Sequence, residues 1–136
     1  MNEFVDEMFA SMTTELDADA VQDFIGAEFP ETAENVYIVG ESALDTFVAA
    51  RFDIAIDDLQ PYLNEIGISE EFVQGELPFL TTSLPIFGTP DWWQVSEAET
   101  MDYSGLSEFV SPNHYNILII NLDDETVRIY MTAHNT

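Results

Sequence analysis

Over the first part of the chain, apolar and acidic positions recur with a helical period. Between residues 3 and 12, Phe4, Val5, Met8 and Phe9 fall on one side of a helical wheel and Glu3, Asp6 and Glu7 on the other, which predicts a short amphipathic helix. Thr13 or Thr14 opens a second helix, spanning roughly 15–29 and ended by Pro30; Val21, Phe24, Ile25 and Phe29 share an arc opposite Glu15, Asp19 and Asp23. The run NVYIV at 35–39 predicts a short strand, Gly40 a turn, and residues 42–52 a helix whose inner face is Leu44, Phe47 and Val48. Asp57 is placed to cap a further helix to about Ile66, with Pro61 near its first turn and Gly67 as its stop. Ser69 then caps a short turn carrying Glu70, Glu71, Phe72 and Val73.

Beyond residue 76 the pattern changes. Residues 77–90 (LPFLTTSLPIFGTP) carry no charge and three Pro, the signature of a packed irregular connection, and Asp91, Trp92 and Trp93 follow. The runs 115–122 (YNILIINL) and 126–132 (TVRIYMT), joined by Asp123, Asp124 and Glu125, predict a β-hairpin. The expectation is one α+β domain over residues 1–136. Acidic amphipathic helices fill the N-terminal half, to about residue 76, and a small antiparallel sheet with a C-terminal hairpin fills the rest.

Charge changes the picture more than any motif. The chain has 27 Asp and Glu against Arg51 and Arg128 and no Lys, a formal net charge of −25; 19 of the acids lie in the first 76 residues. At 46% hydrophobic and 12% aromatic residues it is nevertheless rich enough in apolar side chains to fold. Two cations exclude direct binding to DNA, RNA or an anionic membrane surface as a main activity, so any partner is expected to be basic. No Cys is present, which removes disulfides, thiolate metal sites and cysteine nucleophiles. The N-terminus carries acids where a secretory signal needs cations, and no apolar run approaches the roughly 18 residues of a membrane span, so a soluble, cytoplasmic protein is expected.

Catalytic chemistry finds little footing. His114 beside Ser111 or Ser104 is the one opening for a Ser-His-Asp arrangement, and a loop histidine accounts for it better. Glycine-rich phosphate loops are absent, and Gly40-Glu41-Ser42 lacks the second glycine of a nucleophile elbow. Asp17, Asp19, Asp23 and Glu28 fit positions 1, 3, 7 and 12 of an EF-hand frame, which fails at Val21 and Gln22. No cofactor, no metal and no enzymatic activity are expected. Arg51, on the 42–52 helix, and Arg128, in a strand, read as structural ion-pair partners.

A charge of this size exceeds the magnitude of about 2–8 that solubility asks of a small domain. Acids four apart on a helix rise about 6 Å per step, so Glu15, Asp19 and Asp23 form a ladder on the length scale of a phosphate row. Like charges at that spacing repel within a helix by about 0.2–0.5 kcal/mol per pair, so stability alone does not select them. Glu3, Asp6, Glu7, Asp45, Asp57, Asp58, Glu65, Glu70 and Glu71 would widen the ladder into a surface, and Trp92 and Trp93 are candidate interface anchors. In size, acidity and lack of Lys the chain resembles DNA-mimic inhibitors, a class typified by small phage anti-restriction proteins and some anti-CRISPR proteins. The resemblance is one of composition and carries no residue roles. It implies a non-enzymatic inhibitor that occupies the DNA or RNA site of a restriction enzyme, CRISPR effector, nuclease or DNA-binding regulator, and it admits a homodimer. Two rival readings are an immunity or antitoxin protein neutralising one basic toxin, and a halophile protein whose acidity is adaptation to salt.

Overall fold

The computed structural model describes residues 14–42, 45–78 and 90–135. The helix expected at 3–12, with Glu3, Asp6 and Glu7, lies outside the described residues, as do Leu44 and residues 79–89. The chain runs through β1 (Thr14–Glu15), α1 (Ala18–Ile25), β2 (Glu34–Ser42), β3 (Thr46–Ala55), a 3₁₀ turn (Ile56–Asp58), α2 (Leu59–Ile66) and β4 (Val73–Gln74). A second 3₁₀ segment (Val95–Thr100) precedes β5 (Tyr103–Val110), β6 (Asn113–Asn121) and β7 (Thr126–His134). All seven strands pair antiparallel in one sheet, ordered β1-β2-β3-β7-β6-β5-β4. The fold is α+β, but the sheet dominates and the described N-terminal half is not the helical unit its pattern suggested.

The largest correction is at 42–52, which reads as a helix: Ser42 ends β2 and residues from Thr46 onward form β3. In β3, residues Phe47 to Ala50 and Phe52 to Ile54 are all buried. A strand covered on both faces loses the polar–apolar alternation that identifies strands, and Ala49-Ala50 adds helix propensity to the run. Gly40 accordingly lies inside β2 rather than at a turn, and Arg51 is a strand residue. The second predicted helix is shorter than its apolar arc: α1 begins after Asp17, whose Oδ1 accepts the Ala20 N–H at 2.9 Å, and ends at Gly26 (φ +98°) instead of Pro30. Glu15 therefore belongs to β1, and the Glu15–Asp19–Asp23 ladder does not form on one helix. In α2 the expected stop is met, with Gly67 at φ +100° and its N–H bonded to the Leu63 and Asn64 carbonyls. Asp57 does not cap it, since 56–58 is a 3₁₀ turn leading into the helix. No helical turn follows Ser69.

The C-terminal hairpin is present as expected, with β6 and β7 in register from His114↔His134 to Asn121↔Val127. β3 pairs with β7 over nine positions, so the part before residue 77 and the part after it share one sheet centre. Alternating residues send Val48, Ala50, Phe52 and Ile54 of β3 and Val127, Ile129, Met131 and Ala133 of β7 to a face covered by α1 and α2 through Val21, Ile25, Tyr62, Leu63 and Ile66. The opposite face packs Phe47, Ala49, Leu118, Ile120 and Tyr130 under Trp93 and Ala98 of the irregular 90–100 segment. The arrangement is helices, sheet, and irregular cover.

Phe52 has no exposed surface and touches the rings of Phe29 (4.8 Å) and Tyr62 (5.5 Å), tying the α1–β2 connection and α2 to the sheet. Phe52→Ala is expected to lower unfolding free energy by about 3–5 kcal/mol, read from urea denaturation.

Candidate functional site

Both cations of the chain are committed to the face of the sheet away from the helices. Arg128 on β7 stands opposite Asp53 on β3; its Nε donates to Asp53 Oδ1 at 2.7 Å, its Nη2 to Oδ2 at 3.0 Å, and its Nη1 to Glu97 Oε1 at 2.6 Å. A fork of donors matched to two carboxylates is the geometry that favours Arg over Lys here. Asn35, at φ 54° beside an irregularity in β2, donates its Nδ2 to Asp53 Oδ2 at 2.9 Å, and the Tyr130 hydroxyl donates to Glu97 Oε2. Burial works against ionisation of Asp53, but the bonds from Arg128 and Asn35 and the charges of Arg128 and Arg51 outweigh it and hold the carboxyl below its ordinary value. Burial, then the bond to Glu97, pushes the Tyr130 phenol above its usual range.

Arg51 makes no ion pair among the described residues. Its Nη1 donates to the Trp92 carbonyl at 3.0 Å, and its guanidinium carbon lies 5.5 Å from the Tyr37 ring centre and 5.8 Å from that of Tyr130. Trp92 stacks on Tyr37 at 5.7 Å, and Trp93 meets Tyr130 edge-on at 5.0 Å. The tryptophans thus close the cover over this box: Trp93 is buried and Trp92 half-buried. Further along the same face, His114 and His134 stack at 5.0 Å between Phe109 and Phe47.

The carboxylates divide by whether the fold uses them. Asp17 caps α1, Asp58 accepts the Thr32 hydroxyl at 2.5 Å, and Asp123 accepts the Glu125 and Thr126 N–H groups in the β6–β7 turn. Glu108 accepts the Ser69 and Glu70 backbone N–H groups and the Ser69 hydroxyl; slight burial opposes its ionisation, and these bonds still draw the carboxyl below its ordinary range. Asp19 lies in the first turn of α1, where a negative charge meets the positive helix end.

Asp23, Glu28, Glu31 and Glu65 have no such partner: none accepts a hydrogen bond or joins an ion pair among the described residues. Asp23 and Glu65 lie in the last turns of α1 and α2, the negative ends of the two helix dipoles, and neither turn contains a cation. An anion there forfeits the 0.3–1 kcal/mol or so that a cation would contribute. The chain brings these acids together. Asp23, Gly26, Glu28 and Glu65 line one concavity, while Glu28, Glu31, Asp58, Tyr62 and Glu65 line a neighbouring groove of about 400 Å³ between the α1–β2 connection and α2. Glu70 and Glu71 border a third hollow against Gln60 and Leu63 of α2.

Of the residues singled out by sequence, Asp58 and Glu65 share the groove and Asp23 and Glu65 the concavity next to it, with Glu70 and Glu71 beside α2. Asp57 is exposed just before α2, and Asp45 lies apart, exposed just before β3. A helix running to Phe29 leaves Glu28 in its last turn with nothing to direct it toward α2, and no pattern in the sequence marks Glu31. Taking Gly26 as the helix terminator places both in a connection that returns toward α2. No three His, Asp or Glu among the described residues are gathered so as to hold a metal ion, and no described helix is long and apolar enough to cross a membrane. No family model, curated protein or solved structure matches this chain.

Asp53→Asn is expected to cost about 2 kcal/mol at neutral pH, because Arg128 keeps Glu97 but loses its bidentate partner. A carboxyl held below its unfolded value of 3.8 adds stability that is complete above that value and is lost as pH falls through the folded one. The deficit of the variant against the natural chain should therefore shrink as urea titrations are carried from about pH 5 to about pH 2.

Tyr62 is 2% exposed, and its hydroxyl has no hydrogen-bond partner among the described residues. Tyr62→Phe removes an uncompensated buried dipole, so its urea midpoint should rise, by about 1 kcal/mol in unfolding free energy.

Proposed function

We propose that the protein is a non-enzymatic inhibitor that presents carboxylates in place of phosphates to the nucleic-acid-binding cleft of a basic protein and competes there with DNA or RNA. One observation carries the reading: the only two cations are drawn into the helix-free side of the sheet, while Asp23, Glu28, Glu31 and Glu65 stand unneutralised around the two helices. Had stability been the sole constraint, an Arg placed in the last turn of α1 or α2 would have relieved both the dipole and the carboxylates.

The class of target is a restriction enzyme, CRISPR effector, nuclease or DNA-binding regulator, met in the cytoplasm. A cleft lined by Lys and Arg that engages phosphates would find fixed carboxylates with no bases to read and no duplex to deform. Complementary fields of this kind speed encounter and make binding strongly dependent on salt.

The test begins with the immobilised chain, to which a basic nucleic-acid enzyme from host lysate should bind at low salt and elute along a salt gradient. The retained protein is then offered a duplex DNA fragment; displacement of one ligand by the other is expected, with a tenfold or greater loss of affinity between 50 and 200 mM salt, about the behaviour of a multi-phosphate contact. Simultaneous occupancy of the target by both ligands would overturn mimicry in favour of a neutraliser bound beside the site. A chain whose circular dichroism is native only in molar salt would place its acidity with solvent adaptation.

A further inference from the structure

One edge of the sheet, along β2, is largely open. β1 pairs with β2 only at Glu41 and Ser42, and Leu16 adds one further bond, its N–H donating to the Gly40 carbonyl at 2.9 Å. Asp17 then caps α1 and the chain leaves the sheet, so no strand lies outside residues 34–39 among the described residues. The Gly40 carbonyl points away from β3, and in an antiparallel ladder the backbone groups of every second residue share that direction. Ile38, in register with Ala50 as Gly40 is with Val48, therefore turns its N–H and C=O outward, where no described group bonds them. Beside it Val36 and Tyr37 are 41% and 43% exposed.

The other edge is closed. β4 pairs with β5 at Ser104 and Gly105, and further along that strand Glu108 takes up the Ser69 and Glu70 amides. An open edge bearing apolar side chains is a template for a further strand, which proteins commonly blunt with Lys, Pro or shortness. β2 has nine residues with neither Lys nor Pro, and its one irregularity, between Glu34 and Tyr37, leaves Tyr37 to Val39 in regular register.

Charge decides what can join. Two copies of a chain carrying −25 repel each other, whereas the same field draws in a cationic strand. Exposed acids stand at both ends of the open stretch: Glu34 at the start of β2, and Asp17 and Asp19 where the chain turns away after Leu16. We propose that the β2 edge accepts an extended basic segment of a partner protein as an eighth strand. Main-chain bonds to Ile38 hold it, and the flanking acids select lysine- or arginine-bearing sequences. This goes beyond the function proposed above, because a basic strand can join the edge whether or not its owner binds nucleic acid.

The isotope-labelled chain is titrated in low salt with a short acetylated peptide amide of alternating lysine and valine, and hydrogen exchange is followed by NMR. In the free chain the Ile38 amide should exchange faster than that of Val39, which faces β3. Saturating peptide should slow Ile38 by about tenfold or more, with shifts confined to residues 34–40. A peptide of alternating glutamate and valine should not bind. Two N-methylated forms of the lysine peptide, blocked at odd or at even positions, keep the charge and close opposite sides of the strand; one should bind about tenfold more weakly and the other nearly as well as the parent. Equal binding by the two methylated forms, shifts spread over carboxylates on every side, or unchanged Ile38 exchange at saturation would overturn the proposal. Slowing of Ile38 exchange with rising chain concentration and no peptide would overturn it in favour of a second copy. No nucleic-acid enzyme enters these measurements, so the duplex competition can fail while the edge stands, and the edge can fail while the competition holds.

Discussion

The pairing of Arg128 with Asp53 and Glu97 organises this molecule. It joins the two central strands to the 3₁₀ segment that covers them, and it consumes one of the two positive charges the chain possesses. Arg51, one row away on β3, is held by the Trp92 carbonyl and the faces of Tyr37 and Tyr130. With both cations fixed on one side of the sheet, no cationic side chain is left among the described residues to neutralise the helical side. The polarity of the surface follows from where two guanidinium groups are anchored.

Self-repulsion among so many carboxylates opposes folding, and the core must overcome it. The sheet buries apolar side chains on both faces, with Phe52, Ile54, Ile117 and Ile129 toward the helices and Leu118, Ile120 and Tyr130 toward the cover. A core two interfaces thick is a physical answer to a chain that gains almost nothing from surface ion pairs. Several acids reduce the cost by finding backbone donors: Asp17 at a helix start, Glu108 over the Ser69 and Glu70 amides, Asp123 in a tight turn.

The acids without such donors are where function is most economically sought. Asp23 and Glu65 occupy positions that electrostatics disfavours within their own helices, and Glu28 and Glu31 occupy a connection that returns them to the same groove.

Local pattern was enough wherever a segment's own residues decide its conformation. The hairpin of β6 and β7 was legible because two β-rich runs flank a short acidic turn, and the end of α2 because Gly67 can take the left-handed conformation that closes a helix. Sequence likewise determined the net charge. It misled at β3, where cover from both sides erased the alternation of a strand, and at Glu15, where Thr13 and Thr14 offer a helix cap ahead of Asp17, the residue that caps α1. Tertiary structure alone decided that Arg51 and Arg128 share a face and that Asp23, Glu28 and Glu65 share a hollow. Such neighbours are separated by tens of residues along the chain, and only the packing of helices and strands, which depends on every buried side chain at once, sets the distance between them.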